Sequence, residues 1–435
     1  MSVHSARPAS DEHPSLWRNR NFQRFFLGKF VTNAGDSLYA VATMWLVHEL
    51  GGSTVLTGVA SALLLLPYLL QIIAGPVVDR FPVKPVLVGT QLVQGVAILV
   101  LPVAAYTGHL TVELILLTIP VLSLMTTMIS PAQASVLPRI VADNQLSKGN
   151  SALATITIGL DMVFDALGGL FIAIFGATAL FVLDSVTFAL AAMLFFGMHI
   201  PTVDIEREGA EESALGTYVA DLREGADILR GTVFVPMLAI SAVASFAVGV
   251  MLAILPAVGD GLGGPAIYGF LLGALGVGRL LGSIAAPSLR RVPYGRLMVL
   301  SYLSGALLWV SAVYAPSVLL TVVLFGLAHV AGGIDGVLTS TLNQKVFPTE
   351  VLGRVAAIKG TAATATLPVG SLVGGLVAES LGVTTTFGLA AAGFVFVGLC
   401  FALQPSLRTL PAVSDADPAA FGVRVDSSRP SKGTK

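Results

Sequence analysis

Residues 54–78 read TVLTGVASALLLLPYLLQIIAGPVV, twenty-five positions without one charged side chain. About 20 apolar residues in a helix span the hydrocarbon of a bilayer. This stretch is long enough to cross, and the pair Asp79-Arg80 closes it. Working outward, apolar segments of similar length recur at 22–47, 84–106, 112–135, 150–175 and 177–199, then at 232–256, 265–288, 295–314, 317–342, 354–379 and 383–404. Several joints are only a few residues long, such as Ala315-Pro316-Ser317, so neighbouring helices run antiparallel. The spacing predicts an all-α membrane protein of twelve transmembrane helices.

Composition supports lipid as the solvent. Of 435 residues 55% are hydrophobic and 11% charged, and the mean hydropathy is +0.85. A soluble chain carries about 25% charged residues, so a surface this poor in charge cannot face water throughout. The net charge of -1 gives no overall pull toward nucleic acid. The single cysteine, Cys400, excludes an intrachain disulfide and a thiolate metal cluster. Residues 1–15 are polar, with Arg7, Pro8 and Pro14, and read as a tail rather than as a cleaved signal.

The basic residues orient the helices. With the N-terminus in the cytoplasm, the external loops fall near 48–53, 107–111, 176, 257–264, 315–316 and 380–382, and none holds Lys or Arg. All 24 basic residues then lie in cytoplasmic segments, at cytoplasmic span ends, or inside spans, the inside ones being Lys29, Arg279 and Lys359. This positive-inside pattern places both termini in the cytoplasm and the chain in the cell membrane. It collapses if the helix count before any loop is off by one.

The expected domains are a cytoplasmic N-terminal tail (1–21), an N-terminal six-helix bundle (22–199), a cytoplasmic linker (200–231), a C-terminal six-helix bundle (232–404) and a disordered cytoplasmic tail (405–435). The first tail ends in Leu16-Trp17-Arg18-Asn19-Arg20, suited to an interfacial anchor. The linker holds Glu206, Glu208, Glu211 and Glu212, and Leu215, Tyr218, Leu222, Ala226 and Leu229 fall at the spacing of an amphipathic helix. The last tail is rich in Pro, Ser and Lys. Between the bundles the sequence repeats itself. Gly75-Pro-Val-Val-Asp-Arg-Phe-Pro is echoed by Ala286-Pro-Ser-Leu-Arg-Arg-Val-Pro, an offset of 211 (286 minus 75), and Gly168-Gly169-Leu170 with Gly176 by Gly374-Gly375-Leu376 with Gly382, an offset of 206 (374 minus 168). Both place span n on span n+6, the parallel halves that transporters use.

Gly75-x-x-x-Asp79-Arg80-x-x-x-Lys84 resembles the loop signature of the major facilitator superfamily. Ser130-Pro131-Ala132 through Pro138, then Leu146 and Asn150, is similar to its drug-exporter branch, which includes macrolide efflux proteins and an enterobactin exporter. Gln344-Lys-Val-Phe-Pro348 with Gly353-Arg354-Val355 resembles the second-half counterpart, and the resemblance spans about residues 16–404. It implies two bundles that rock about a central cavity, with Gly75, Asp79, Arg80, Lys84 and Arg354 forming a conformational latch. In that picture Asp79 meets the cytoplasmic start of span 11, where a helix N-terminus favours a carboxylate. Arg290 occupies the place of Asp79 in the second half, so the latch is one-sided. Antiporters of the superfamily often carry Gly-Pro-x-x-Gly-Gly in span 5. Here Phe164-Asp165 replaces the Gly-Pro step and Gly168-Gly169 remains.

Ionisable groups inside spans are costly and so are functional candidates. Asp36 lies in the middle of span 1, Asp161 and Asp165 four apart on one face of span 5, Arg279 deep in span 8 and Asp335 deep in span 10. Two carboxylates as close as Asp161 and Asp165 resist ionising together, the property a proton carrier needs. These five are the candidates for substrate binding or proton coupling, with Asp161 or Asp165 pairing with Arg279 in one state. Asp184 in span 6 reads as a structural hydrogen-bonding group, and Lys29 and Lys359 can snorkel. Gly269-x-x-x-Gly273, Gly278-x-x-x-Gly282 and Gly370-x-x-x-Gly374 read as seams of close helix approach.

There is no Gly-x-x-x-x-Gly-Lys-Ser/Thr loop, no His-Glu-x-x-His and no Gly-x-Ser-x-Gly, and the six histidines show no ligand spacing. The sequence therefore points to a monomeric secondary transporter without a cofactor, moving amphipathic or cationic small molecules against protons. A siderophore, metal or lysolipid carrier of the same fold stays open, as does a membrane enzyme or receptor. Reporter fusions test the topology: tags at both termini and within 200–231 should report cytoplasm, and a tag near 257–264 should report the exterior.

Overall fold

The computed structural model describes residues 15–67, 81–156, 161–201, 223 and 225–423. The first half holds span 1 (Arg20–Gly51), span 2 (Thr54–Leu64), span 3 (Val83–Tyr106), span 4 (Val112–Ile140), span 5 (Leu146–Ala154 and Asp161–Phe175) and span 6 (Ala177–Phe196). The second holds span 7 (Phe234–Leu262), span 8 (Pro265–Ala285), span 9 (Tyr294–Val313), span 10 (Val318–Ala328 and Val330–Val346), span 11 (Thr349–Thr364 and Thr366–Leu381) and span 12 (Val383–Ala390 and Ala392–Leu403). Nine helices among the described residues are long and apolar enough to cross a membrane. The protein is an all-α membrane protein with twelve spans in two pseudo-symmetric six-helix bundles.

Local chemistry sets the helix ends. Asn19 caps span 1, its side-chain oxygen accepting from the N–H groups of Asn21 (2.9 Å) and Phe22 (3.2 Å). Its amide donates to the Ile140 carbonyl at 2.6 Å, tying the start of span 1 to the end of span 4. Trp17 packs edge-on against Phe22 and Phe26 and stays half exposed, as an anchor at an interface would. Gly176 (φ 81°) and Gly382 (φ 84°) make the turns from span 5 to 6 and from span 11 to 12. That left-handed backbone favours glycine, and the two sit 206 residues apart (382 minus 176), in repeat register.

Each half packs on itself in matched pairs. Span 6 lies along spans 1 and 3, and span 12 along spans 7 and 9. The halves meet chiefly along two seams, span 5 with span 8 and span 2 with span 11, and span 2 also touches span 7. Both seams are made of glycine. A Cβ on Gly169 would lie 2.6 Å from the Gly269 Cα, and a Cβ on Gly375 would lie 3.1 Å from the Gly58 Cα. Gly58 and Gly269 are 211 apart (269 minus 58), and Gly169 and Gly375 are 206 apart (375 minus 169). The repeat that relates the halves thus carries one seam onto the other.

Both seams lie at the end of the molecule that bears the span 1–2, 5–6, 7–8 and 11–12 turns, here called the far end. At the tail end, which carries residues 15–19 and 405–423, the start of span 5 packs mainly on span 4, and the start of span 11 mainly on spans 7 and 10.

The tail differs from the expectation of disorder over 405–423. Leu407, Leu410, Val413, Phe421 and Val423 are buried against the tail end of the second half. Phe421 stacks on Phe234 with ring centroids 5.9 Å apart. The Tyr294 N–H donates to the Pro411 carbonyl (3.1 Å), and Lys345 Nζ donates to the carbonyls of Val413 (2.9 Å) and Ser414 (3.0 Å). Polar average composition hid a few well-spaced apolar residues that have a surface to bury against. Residues 424–435 lie outside the described residues, as do Leu215, Tyr218, Leu222 and the four glutamates of the linker; of the same expected face Leu229 is buried and Ala226 is exposed. Removing a fully buried phenylalanine costs about 3–5 kcal/mol, so Phe421→Ala should lower the Tm of the purified protein by several degrees, and truncation after residue 404 should lower it further. An unchanged Tm in both would mean the strap adds nothing to stability.

Candidate functional site

A cavity of about 300 Å³ lies between the halves, in the plane below the glycine seams. Spans 1 to 8 all contribute to its wall. Span 1 turns Asp36, Tyr39 and Met44 toward it, and span 5, packed against span 1, adds Asp165. Gln94, Ser123 and Thr126 supply uncharged polar groups, and Phe188 and Tyr268 supply aromatic faces. Two carboxyl groups and no Lys, Arg or His line it among the described residues. Such a wall attracts positive charge, and aromatic faces add to the attraction of an organic cation.

A relay of uncharged polar side chains holds the wall of spans 1, 3 and 4. Thr32 Oγ1 donates to Gln91 Oε1 (3.1 Å), Gln91 Nε2 to Gln94 Oε1 (3.3 Å), and Gln94 Nε2 to Thr126 Oγ1 (3.2 Å). Each amide orients the next, so Gln94 presents a fixed face to the cavity. Ser61 Oγ bonds Ser371 Oγ at 2.9 Å, and Ser371 reaches the Gly249 carbonyl at 3.1 Å, linking spans 2, 11 and 7 at the seam.

The far end is sealed by polar contacts as well as glycine. Glu379, at the end of span 11, accepts from Ser53 Oγ (3.1 Å), the Thr54 N–H (3.1 Å) and Thr54 Oγ1 (3.0 Å). A carboxylate of one half thus caps the first turn of span 2 in the other, where the helix dipole favours it. His48 Nε2 pairs with Asp260 Oδ2 at 3.2 Å across the same end. Beneath them Trp45 stacks on Tyr268, with ring centroids 6.2 Å apart.

The other expected residues are distributed differently. Asp335 lies inside the second half, accepting from Tyr294 Oη (2.9 Å), Tyr302 Oη (2.7 Å) and Thr339 Oγ1 (2.8 Å). Arg279 is exposed and close enough to Tyr302 and His329 for its charge to act on them, whereas Asp165 is beside Tyr268. The cavity brings together Asp36 and Asp165; Asp335 and Arg279 belong to the spans 8–10 neighbourhood. The Asp161 side chain lies outside the described residues, as do Gly75, Asp79 and Arg80. Lys84 Nζ sits 5.2 Å from the Phe196 ring centroid, a cation–π contact at the tail end. Arg354 lies in the first helix of span 11, beside Gly225 of the linker. Lys359 does not snorkel: it is buried, with Nζ over the Phe234 ring at 4.0 Å and donating to Asn343.

Sequence reasoning missed Tyr39, Gln94, Thr126 and Tyr268, because an uncharged polar residue in an apolar run carries little signal. The spacing of Gln91 and Gln94 within span 3 was the one usable hint. A second groove, of about 890 Å³ between spans 5, 8 and 10, is lined by apolar side chains such as Leu167, Phe270 and Val322. It suits hydrocarbon chains rather than a polar ligand.

Over residues 14–421 the chain matches the family described as transmembrane secretion effector. It is 22% identical to macrolide efflux protein A of Streptococcus pyogenes, over 89% of this chain and 97% of that protein. It is 25% identical to the multidrug efflux pump Tap of Mycobacterium tuberculosis, over 92% of this chain and 98% of that pump. Among solved structures, a nucleoside transporter aligns with a TM-score of 0.68 at 13% identity, covering 88% of this chain and 98% of that one. A bacterial homolog of the human lysosomal transporter Spinster, in an inward-facing and occupied conformation, aligns with a TM-score of 0.67 at 12% identity, covering 92% and 98%. Those two structural likenesses speak for the fold alone.

The seal makes a direct prediction. With Cys400 replaced by serine, a cysteine at Leu64 in the cavity wall should react slowly with an impermeant maleimide added from the far side. Glu379→Gln, which removes the capping charge, should raise that rate several-fold, and an unaltered rate would mean the contact does not hold the end closed.

Proposed function

We propose that this chain, which belongs to the transmembrane secretion effector family of the major facilitator superfamily, exports amphipathic or cationic small molecules in exchange for protons by alternating access. As a member of that family it is a multi-pass membrane transporter and not an enzyme. The observation that carries the finer reading is the acidic, aromatic cavity enclosed between the halves, with Asp36 and Asp165 in its wall and no basic side chain among its lining residues. The efflux relatives point the same way, one named for macrolides and one for multiple drugs.

The positive-inside pattern supports placing the tail end in the cytoplasm. The glycine seams and the Glu379 cap then close the external face, and the cavity loads from the cytoplasm. An amphipathic cation enters, its charge held by Asp36 and Asp165 and its rings by Tyr39, Phe188 and Tyr268. The halves rock, the external seams part and the cytoplasmic side closes, with Asp79 docking at the start of span 11 beside Arg354. Protons from outside neutralise acidic groups of the pocket, so the cation leaves and the unloaded carrier returns. Asp161, Asp335 and Arg279 adjust the charge balance between the two states. A monomer contains every part of this cycle.

Uptake of a fluorescent cation such as ethidium into inverted vesicles tests the proposal. A proton gradient, acid inside, should drive accumulation, and Asp36→Asn should reduce the initial rate at least tenfold at equal protein level. If collapse of the gradient leaves accumulation untouched, the coupling to protons is wrong. If no cation accumulates under any gradient, the substrate class is wrong.

A further inference from the structure

Asp184 is the most enclosed carboxyl group in the described structure, with 0% of its surface exposed. It projects from the middle of span 6 against span 1. Thr187 Oγ1 meets Asp184 Oδ1 at 2.9 Å, but the same hydroxyl also lies 2.7 Å from the Asp184 main-chain carbonyl, so its one proton is shared. Asp184 Oδ2 has no hydrogen-bond partner among the described residues. The hydroxyl of Tyr39, a residue that lines the cavity, is buried as well, with the Thr43 hydroxyl of the same helix as its polar neighbour. A Cβ on Gly35 would overlap the Asp184 and Thr187 oxygens, so the carboxyl lies on bare backbone one residue from Asp36. Asp36 and Tyr39 are both near enough to feel the charge of Asp184.

Among the described residues no ion pair reaches Asp184, and the charge that acts on it is that of Asp36. Span 1 faces it with Asp36 and Tyr39, and Lys29 lies seven residues nearer the tail end, about 10 Å along the axis. Span 3 offers Gln91 and Gln94, its Lys84 being at the tail end over Phe196. Span 5 contributes Asp165, and Asp161 belongs to the same helix. A buried carboxylate with neither a cation nor a full set of donors is costly, whereas the neutral acid needs far less support. A purely structural hydrogen-bonding role leaves Oδ2 unexplained, and complete burial keeps substrate from touching the group.

We propose that Asp184 is the proton-carrying carboxyl of the exchange, set behind Asp36, which holds the cation. This rests on the proton-coupled export reading above. In the inward-open state Asp184 carries a proton. When a cation settles beside Asp36, its charge supports a second carboxylate nearby. The Asp184 O–H bond then breaks, and water of the cavity that Asp36 and Tyr39 line takes up the proton as span 1 moves off the carboxyl. One positive charge enters as another leaves, so the net charge of the pocket is unchanged. After the halves rock, a proton from outside re-forms the O–H bond and the cation is released.

Ethidium binding to the purified full-length protein in weakly buffered solution, with a pH-sensitive dye, tests this. Wild type should release about one proton per cation bound, and its affinity should rise with pH by up to about tenfold per unit, as one-proton exchange requires. Asp184→Asn should still bind ethidium but release no proton and show a flat pH profile. If wild type binds ethidium without releasing a proton, the proton-coupled reading fails. If wild type releases protons and Asp184→Asn releases as many, this assignment fails while the reading stands. Should Asp184→Asn not fold, Thr187→Ala removes the hydroxyl that supports the carboxylate and should move the midpoint of the wild-type pH profile upward. An unmoved midpoint would overturn the assignment.

Discussion

Two helices can touch backbone to backbone only where neither carries a side chain. The two halves of this molecule meet in that way at two places, Gly169 on Gly269 and Gly58 on Gly375. Everything between the halves depends on those contacts. They bring spans 5 and 8, and spans 2 and 11, close enough for Trp45 to stack on Tyr268 and for Glu379 to cap span 2. They also roof the cavity in which Asp36 and Asp165 sit. A leucine at any one of the four positions would push apart the helices that form the roof.

The polar groups fall into two kinds. Those within one half are satisfied by neighbours, as Asp335 is by Tyr294, Tyr302 and Thr339, or Gln91 by Thr32 and Gln94. Those between the halves join one bundle to the other, as with Glu379 on Ser53 and Thr54, Ser61 on Ser371, and His48 on Asp260, and in the proposed cycle they would break. The second kind are hydrogen bonds of ordinary length, each worth little net. A seal built from several weak contacts can open on a thermal timescale and still close reliably.

Much of this fold was legible before any coordinates. Long uncharged runs have few physical alternatives to membrane helices, so the spans followed from Val83–Tyr106 and its like. The repeat offsets of 206 and 211 reappear in the glycines that touch, because close packing admits no other residue there. Asp36 and Asp165 stood out because charge in lipid is rare. What could not be read were the partners. Nothing in the order of residues says that His48 will face Asp260, 212 positions away, or that Lys359 will lie over Phe234. The strap at 405–423 escaped for another reason: Leu407, Leu410 and Phe421 are spread thinly among polar residues, and only the surface they cover makes sense of them.

The matched glycine seams also constrain the motion. One rotation exchanges them, so they sit at equal distances from its axis, and a rocking of the halves as proposed would load both. In that cycle neither would serve as a pivot while the other swings, and a residue that jams one side alone would skew the axis rather than halve the opening.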